Sequence, residues 1–240
     1  MRGRVLIALA VVAALAGCQE SGFDESRETQ RPLKVQDAMN PLTGTKVPGV
    51  AERPMTLTRD TLGDTLALDV KPVRAALPGG RLPGYLRSAA RGVEVVAPLT
   101  KVDLPATEAA APDVILGTKE GQGDLYDGLR PIAPTIMSEG DNWKLNLRLH
   151  GEALGRTNDA EKLLIDWDNR AARVRRMLAS SGATVVIANP NPFAESILGD
   201  LGVKPESGGK RVLHIDAGPE WSSGGLLAAR AALRDVEHAL

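Results

Sequence analysis

The sequence predicts an α/β protein in which two α/β lobes with mainly parallel sheets are joined by a long helical spine. Short β-like runs alternate with helix-like runs over residues 32–140 and again over residues 182–240, a pattern typical of parallel α/β folds. Between them, residues 141–181 carry apolar side chains every three to four positions, as an amphipathic helix does. This helical stretch is longer than a crossover in one compact sheet needs, so we expect it to connect two lobes.

The first lobe, residues 32–140, is expected to contain five extended segments separated by short helices. The extended segments are predicted at 55–58, 72–77, 93–97, 113–116 and 134–137, with Gly117 ending the fourth. The helices are predicted at 59–68, 103–111 and 124–129. This alternation places each helix between two strands of one sheet.

The spine contains an expected interruption at Gly155, and Thr157 is a plausible N-cap for its second part. Trp167 falls on the apolar stripe of this part and is interpreted as a packing residue. The second lobe, residues 182–240, is predicted to have strands at 183–188 and 211–215 and helices at 193–201 and 226–240. It is short for a complete α/β lobe.

The N-terminus has the features of a lipoprotein signal peptide. Arg2 and Arg4 precede an uncharged apolar run at residues 5–15, which is shorter than the about 20 residues that span a bilayer. The sequence LAGC at residues 15–18 then places the only cysteine of the chain, Cys18, where a lipobox requires it. We expect cleavage after residue 17, lipid attachment to Cys18 and a flexible tether over residues 18–31. The alternative is an ordinary secretory signal with an incidental cysteine.

Composition and motifs exclude several functions. Without residues 1–17, the chain has 27 basic and 30 acidic residues, and this net charge of −3 does not favour nucleic-acid binding. The motifs G-x-S-x-G, H-E-x-x-H and the P-loop are absent from the sequence, so we do not expect an enzyme. The three histidines, His150, His214 and His238, lack metal-ligand spacing and are interpreted as structural or solvated.

Several short motifs resemble one protein family. They are PDVILG at 112–117, YDGL at 126–129, IAPT at 132–135, GEALGR at 151–156 and GGLLAAR at 224–230. Together they resemble the iron–siderophore substrate-binding lipoproteins of ABC importers, which are two-lobed, helical-spine binding proteins related to vitamin B12 and haem binders. The resemblance covers roughly residues 33–240 and is most specific between residues 112 and 164.

The resemblance implies an extracytoplasmic solute-binding lipoprotein, anchored through its lipid to the outer face of the membrane. It would bind a ferric siderophore or a similar iron complex between its lobes and deliver it to an ABC permease. The siderophore itself holds the iron, so the resemblance implies no cofactor and no metal ligands from the protein. A monomer is expected.

Five residues are candidates for contacting the ligand. Arg81 and Tyr85 lie in the loop GGRLPGY, Lys119 follows a strand, Trp143 begins the spine, and Trp221 lies in a closing loop. Each also has a structural interpretation. Arg81 and Lys119 are alternatively solvated loop residues, and the two tryptophans are alternatively packing residues. The basic side chains would form charge-assisted bonds with an anionic complex.

Three departures from the family bear on docking to the permease and on contact with the ligand. Pro105 stands where the family usually has a glutamate that docks on an importer arginine, and Glu108 lies one helical turn further on. The second lobe is too short to contain the second docking glutamate. Its segment ANPNP at 188–192 has no arginine to meet the ligand. The alternative function is therefore that of a truncated relative, a surface interaction or sensor lipoprotein without a transport role.

The predicted anchor is tested by Cys18→Ser. Serine cannot form the thioether to diacylglycerol, so the variant should remain unprocessed or be released. Immunoblots of the membrane fraction and incorporation of labelled palmitate measure this outcome. Equal membrane retention and equal labelling of the variant and the wild type would contradict the lipoprotein interpretation.

Overall fold

The computed structural model describes residues 31–96, 104–188, 190–203 and 211–240. The predicted leader, Cys18 and all but the last residue of the predicted tether lie outside the described residues. In the part of the chain that is described, no helix has both the length and the apolar character needed to cross a membrane.

Strands and helices alternate along the described chain, as predicted. The strands are β1 (Leu33–Val35), β2 (Thr45–Val47), β3 (Pro54–Thr56), β4 (Arg74–Ala76), β5 (Glu94–Val96), β6 (Val114–Thr118), β7 (Thr135–Ser138), β8 (Ala183–Ile187) and β9 (Arg211–Ile215). The α-helices are α1 (Arg59–Ala67), α2 (Leu104–Ala109), α3 (Lys119–Gln122), α4 (Tyr126–Leu129), α5 (Trp143–Ala153), α6 (Thr157–Ser181), α7 (Pro192–Asp200) and α8 (Leu226–Ala239).

The first lobe is built on a five-stranded parallel sheet in the order β5-β4-β3-β6-β7. Successive side chains of a strand point to opposite faces, and β6 shows why its sequence is continuously apolar. Val114 and Leu116 pack into the main core, whereas Ile115 packs into a second cluster on the other face. Both faces are covered, as parallel sheets require, and the predicted α/β class is confirmed.

Strand β6 corrects one detail of the sequence prediction. Gly117 does not end the strand, because Gly117 and Thr118 continue the pairing with Met137 and Ser138 of β7. A Cβ at Gly117 would lie 2.9 Å from the sulfur of Met137. A larger residue would therefore require the Met137 side chain to shift, and Gly117 does not act as a strand breaker.

An antiparallel hairpin of β1 and β2 precedes the first-lobe sheet and was not predicted. Its strands have only three residues each, too few to show a clear period in the sequence. Val35 and Val47 are buried in the main core, so the hairpin covers part of the spine.

The spine consists of two helices, and its predicted interruption at Gly155 is confirmed. Gly155 has φ +69°, and a Cβ there would overlap the carbonyl oxygen of Gly49. The predicted N-cap is wrong by one residue. Arg156 occupies the N-cap position and Thr157 is already helical, because the Ala160 N–H reaches the carbonyl oxygen of Arg156 at 2.9 Å.

The two spine helices pack through their tryptophans. Trp143 of α5 and Trp167 of α6 form an edge-to-face pair with ring centroids 5.2 Å apart. Trp167 is 1% exposed, which confirms its assignment to the core. The second lobe follows, with a parallel pair of β8 and β9 and with α8 packed against both β9 and α1 of the first lobe.

The interruption of the spine gives a matched test. Gly155→Ala should lower the free energy of unfolding by about 3 kcal/mol or more, since the left-handed backbone and the overlap with Gly49 both cost energy. Gly182→Ala is the control, because Gly182 also has a left-handed φ of +64° but no atom within 4 Å of the added Cβ.

Gly182→Ala should therefore cost only the backbone strain, about 1–2 kcal/mol. Urea denaturation followed by circular dichroism measures both variants. If both substitutions lowered the free energy of unfolding equally, contact with Gly49 would not be what constrains the backbone at Gly155.

Candidate ligand-binding site

The larger of two neighbouring cavities, about 440 Å³ in volume, lies between segments of the two lobes. From the first lobe, Arg59 and the segment 81–83 line it. From the second lobe it is lined by Ile187, Pro190, Asn191, Ala194, Ala217, Gly218, Pro219, Trp221 and Ser222. Its size falls within the range of small-molecule sites, and its walls combine cations, an aromatic ring and backbone from several loops.

Arg59 supplies the first cation of this cavity. It is the first residue of α1, directly after β3, and the helix is capped by Thr58, whose hydroxyl accepts from the Thr61 N–H at 3.0 Å. The Nε of Arg59 is buried and has no hydrogen-bond partner among the described residues. A buried guanidinium donor that is left unpaired costs free energy, so Arg59 is available to an acceptor on a ligand.

Arg81 supplies the second cation. Gly79 and Gly80 both have positive φ angles, +68° and +62°, and form the turn that brings Arg81 to the cavity. Arg81 itself is exposed. The two arginines thus approach the cavity from different loops of the first lobe and give its rim a positive charge.

The structure brings only some of the predicted site residues together. Arg81 and Trp221 line the larger cavity, and the Trp221 Nε1–H donates to Asp235 Oδ2 at 2.9 Å. Trp143 lines the smaller cavity instead. Lys119 is exposed and paired with Glu139 at 2.8 Å, and neither cavity includes it.

Tyr85, the fifth predicted residue, packs beneath the loop and lines neither cavity. Burial raises the pKa of its hydroxyl to about 12, so the phenol stays protonated over the physiological range. Whether these five residues contact a ligand stays a prediction.

A smaller cavity of about 210 Å³ adjoins the larger one, and Asn191 and Ser222 line both. Its other lining residues are Asp60, Asp64, Thr118, Ser138, Gly140, Asp141, Trp143, Asn146, His150, Pro192, Phe193, Gly224 and Gly225. The two cavities therefore differ in charge, with arginines in the larger and carboxylates in the smaller.

A buried carboxylate, Asp64, connects three elements beside the smaller cavity. Its Oδ2 is 2.8 Å from His150 Nδ1 on α5, and its Oδ1 accepts from the Leu226 N–H at the start of α8, also at 2.8 Å. Asp64 and His150 are both buried. This network confirms a structural role for His150, whose partner could not be identified from the sequence pattern.

Asp60 lies one turn before Asp64 on the same face of α1. Burial, and next the charge of Asp64, raises the pKa of Asp60 to about 6, while His150 and the Gly224 N–H act in the opposite direction. Asp60 is therefore mainly ionised at neutral pH and becomes protonated under mildly acidic conditions.

The geometry is that of two α/β lobes joined by a helical spine, with a cavity between segments of the two lobes. Residues 94–205 match the model of the family described as Periplasmic binding protein. The resemblance inferred from the sequence is confirmed.

One relative is the probable siderophore-binding lipoprotein YfiY of Bacillus subtilis strain 168. It is 30% identical over 180 residues, which are 72% of this chain and 55% of the relative. The chain thus spans little more than half of that relative's length.

Two solved structures have the same fold. Staphylococcus aureus SirA, complexed with staphyloferrin B, has a TM-score of 0.65 at 21% identity, covering 85% of this chain and 82% of SirA. The petrobactin-binding protein YclQ of Bacillus subtilis has a TM-score of 0.66 at 18% identity, covering 87% of this chain and 98% of YclQ. At these identities the likeness establishes the fold only.

Sequence reasoning missed Arg59, Asp60 and Asp64. A signal for Arg59 was present, because ligands of open α/β sheets bind outside the carboxyl ends of strands and Arg59 follows β3 closely. The spacing of Asp60 and Asp64 places both on one helix face, but their contact with α5 and α8 depends on tertiary packing.

The role of Asp64 is tested by Asp64→Ala, which leaves His150 and the Leu226 N–H without their buried acceptor. The free energy of unfolding should fall by about 3–5 kcal/mol. The control is Asp127→Ala, because the Asp127 side chain is 88% exposed and, among the described residues, pairs with Arg130. It should change stability by less than about 0.5 kcal/mol. Urea denaturation measures the free energy of unfolding of both variants. A decrease for Asp64→Ala as small as that of the control would contradict the structural role of Asp64.

Proposed function

We propose that the protein is an extracytoplasmic solute-binding lipoprotein of an ABC importer and that it binds a ferric siderophore or a similar iron complex between its lobes. The observation that carries this proposal is the pair of arginines, Arg59 and Arg81, on a cavity of about 440 Å³. The family match and the name of the Bacillus relative support it. The family consists of substrate-binding proteins and not of enzymes.

The arginines suit the charge of such a ligand. Ferric complexes of catecholate or carboxylate siderophores carry negative charge, and a guanidinium forms strong charge-assisted bonds with anionic oxygens. The Nε of Arg59 has no hydrogen-bond partner among the described residues, so ligand binding would remove the cost of leaving this buried donor unpaired. The indole of Trp221 would cover an apolar face of the complex.

The iron in this proposal is cargo and is held by the oxygen or nitrogen donors of the siderophore. Within the described residues, there is no group of three or more His, Cys, Asp or Glu side chains that could hold a metal ion. The protein would therefore recognise the outer surface of the complex through charge, shape and aromatic contact.

The proposed anchor at Cys18 would keep the binding protein close to a permease. Docking should be weak, because α2 presents Pro105 where a glutamate is expected. Glu108 on the same helix is exposed and is the carboxylate available to pair with an importer arginine. The alternative of a sensor lipoprotein without a transport role is not favoured by the comparisons.

Arginine substitutions test this proposal. Arg59→Ala and Arg81→Ala should each weaken an anionic ferric complex by about 1.5–3 kcal/mol if each arginine makes a charge-assisted bond. Arg87→Ala is the control, because Arg87 is exposed on the same segment but lines neither cavity.

The measurement is quenching of tryptophan fluorescence during titration with ferric tris-catecholate, hydroxamate and citrate complexes. Trp221 lies in the cavity wall, so an absorbing iron complex bound there should quench its emission. The proposed function would be contradicted if none of the three ligand classes bound. It would also be contradicted if Arg87→Ala lost as much ligand affinity as the cavity variants.

A further inference from the structure

The smaller cavity has the opposite charge to the larger one and is not explained by an anionic iron complex. Asp60, Asp64 and Asp141 contribute carboxylates, and none of its described lining residues is Lys or Arg. At about 210 Å³, it lies below the ~300 Å³ at which typical small-molecule sites begin. It is therefore too small for a whole ferric complex but large enough for a side arm of one.

His150 provides an independent indication of a ligand. It is 1% exposed, and its Nδ1 lies 2.8 Å from the carboxylate of Asp64. In the neutral form of the ring, a hydrogen on Nδ1 would face this carboxylate, and Nε2 would then be an acceptor. Nε2 is buried and has no hydrogen-bond partner among the described residues, while His150 lines the cavity.

A buried acceptor beside Asp60, which is mainly ionised at neutral pH, favours a donor that carries positive charge. A protonated amine has three N–H donors and a compact charge, which matches the acceptors offered by Asp60 and by His150 Nε2. The Nε1–H of Trp143, 2% exposed, is also buried without a partner. It can donate to a hydroxyl or carbonyl oxygen next to the amine.

We propose that the smaller cavity is a subsite for an ammonium group on the ligand, so that the preferred ligand combines an anionic iron complex with a protonated amine arm. Asn191 and Ser222 line both cavities, so an arm can pass from one into the other. These contacts by themselves support an ammonium site in the smaller cavity. Assigning the ammonium group to an iron complex rests on the proposed function.

The ionisation of Asp60 makes amine binding depend on pH. The pKa of Asp60 is raised to about 6, and the charged or titratable groups that face it are Asp64, His150, Arg59 and Tyr85. Asp60 is ionised at pH 7.5 and protonated at pH 5. Amine affinity should therefore fall about tenfold between these two values, as titration of one carboxylate with a pKa near 6 requires.

The experiment uses n-butylammonium as the probe, without iron, and n-butanol as its neutral isostere. The full processed chain is labelled with 5-fluorotryptophan and purified in detergent, and Trp143→Phe assigns one of the three ¹⁹F resonances. Butylammonium should shift the Trp143 resonance saturably with a Kd on the order of millimolar, and n-butanol should not. Lowering the pH from 7.5 to 5 should weaken the response about tenfold.

Asp60→Asn should abolish the response to the amine and its pH dependence, because the amide preserves the shape but not the charge. Asp127→Asn, an exposed carboxylate distant in sequence, should leave both unchanged. The pH series needs no variant, so it remains decisive even if Asp60→Asn fails to fold.

Absence of a saturable shift up to about 100 mM amine, an equal shift with n-butanol, or full binding at pH 5 would overturn the proposed subsite. These results are independent of iron binding. If butylammonium does not bind, the proposal for the arginine-lined cavity is unaffected. If ferric complexes do not bind, the result with butylammonium still tests the subsite in the smaller cavity.

Discussion

The buried carboxylate of Asp64 is the interaction on which the arrangement of the lobes depends. It comes from α1 of the first lobe, contacts His150 on the spine, and accepts from the Leu226 N–H of the last helix. A buried charge is strongly unfavourable unless it is paired and hydrogen-bonded, so these three elements cannot separate independently. The negative charge also lies at the N-terminus of α8, where the helix dipole favours it.

Two adjacent glycines make this contact possible. A Cβ at Gly225, whose φ is +87°, would lie 2.9 Å from Asp64 Oδ1, and a Cβ at Gly224 would lie 3.0 Å from Asp60 Oδ2. Side chains at either position would push α8 away from α1. The carboxylates of α1 and the glycine pair before α8 therefore act together, and they fix the wall that the two cavities share at Ser222.

Features with a local physical cause could be predicted from the sequence, and features created by tertiary packing could not. The strands of the parallel sheet, the interruption at Gly155 and the core position of Trp167 follow from apolar periodicity and backbone chemistry. Arg81 was a candidate because it lies in a glycine-rich loop after a strand. Asp64 was missed because a helical aspartate ordinarily faces solvent, and only its distant partners, 86 and 162 residues further along the chain, make burial possible.

The two cavities differ in the charge of the side chains that line them. Arginines line the larger one and carboxylates the smaller one, with a shared wall between them. The central claim is that the larger cavity holds an iron complex, and an iron anomalous difference map from crystals grown with a ferric siderophore tests it most directly. The account predicts one iron peak between Arg59, Arg81 and Trp221. An iron peak at any other place on the protein, with none in this cavity, would contradict it.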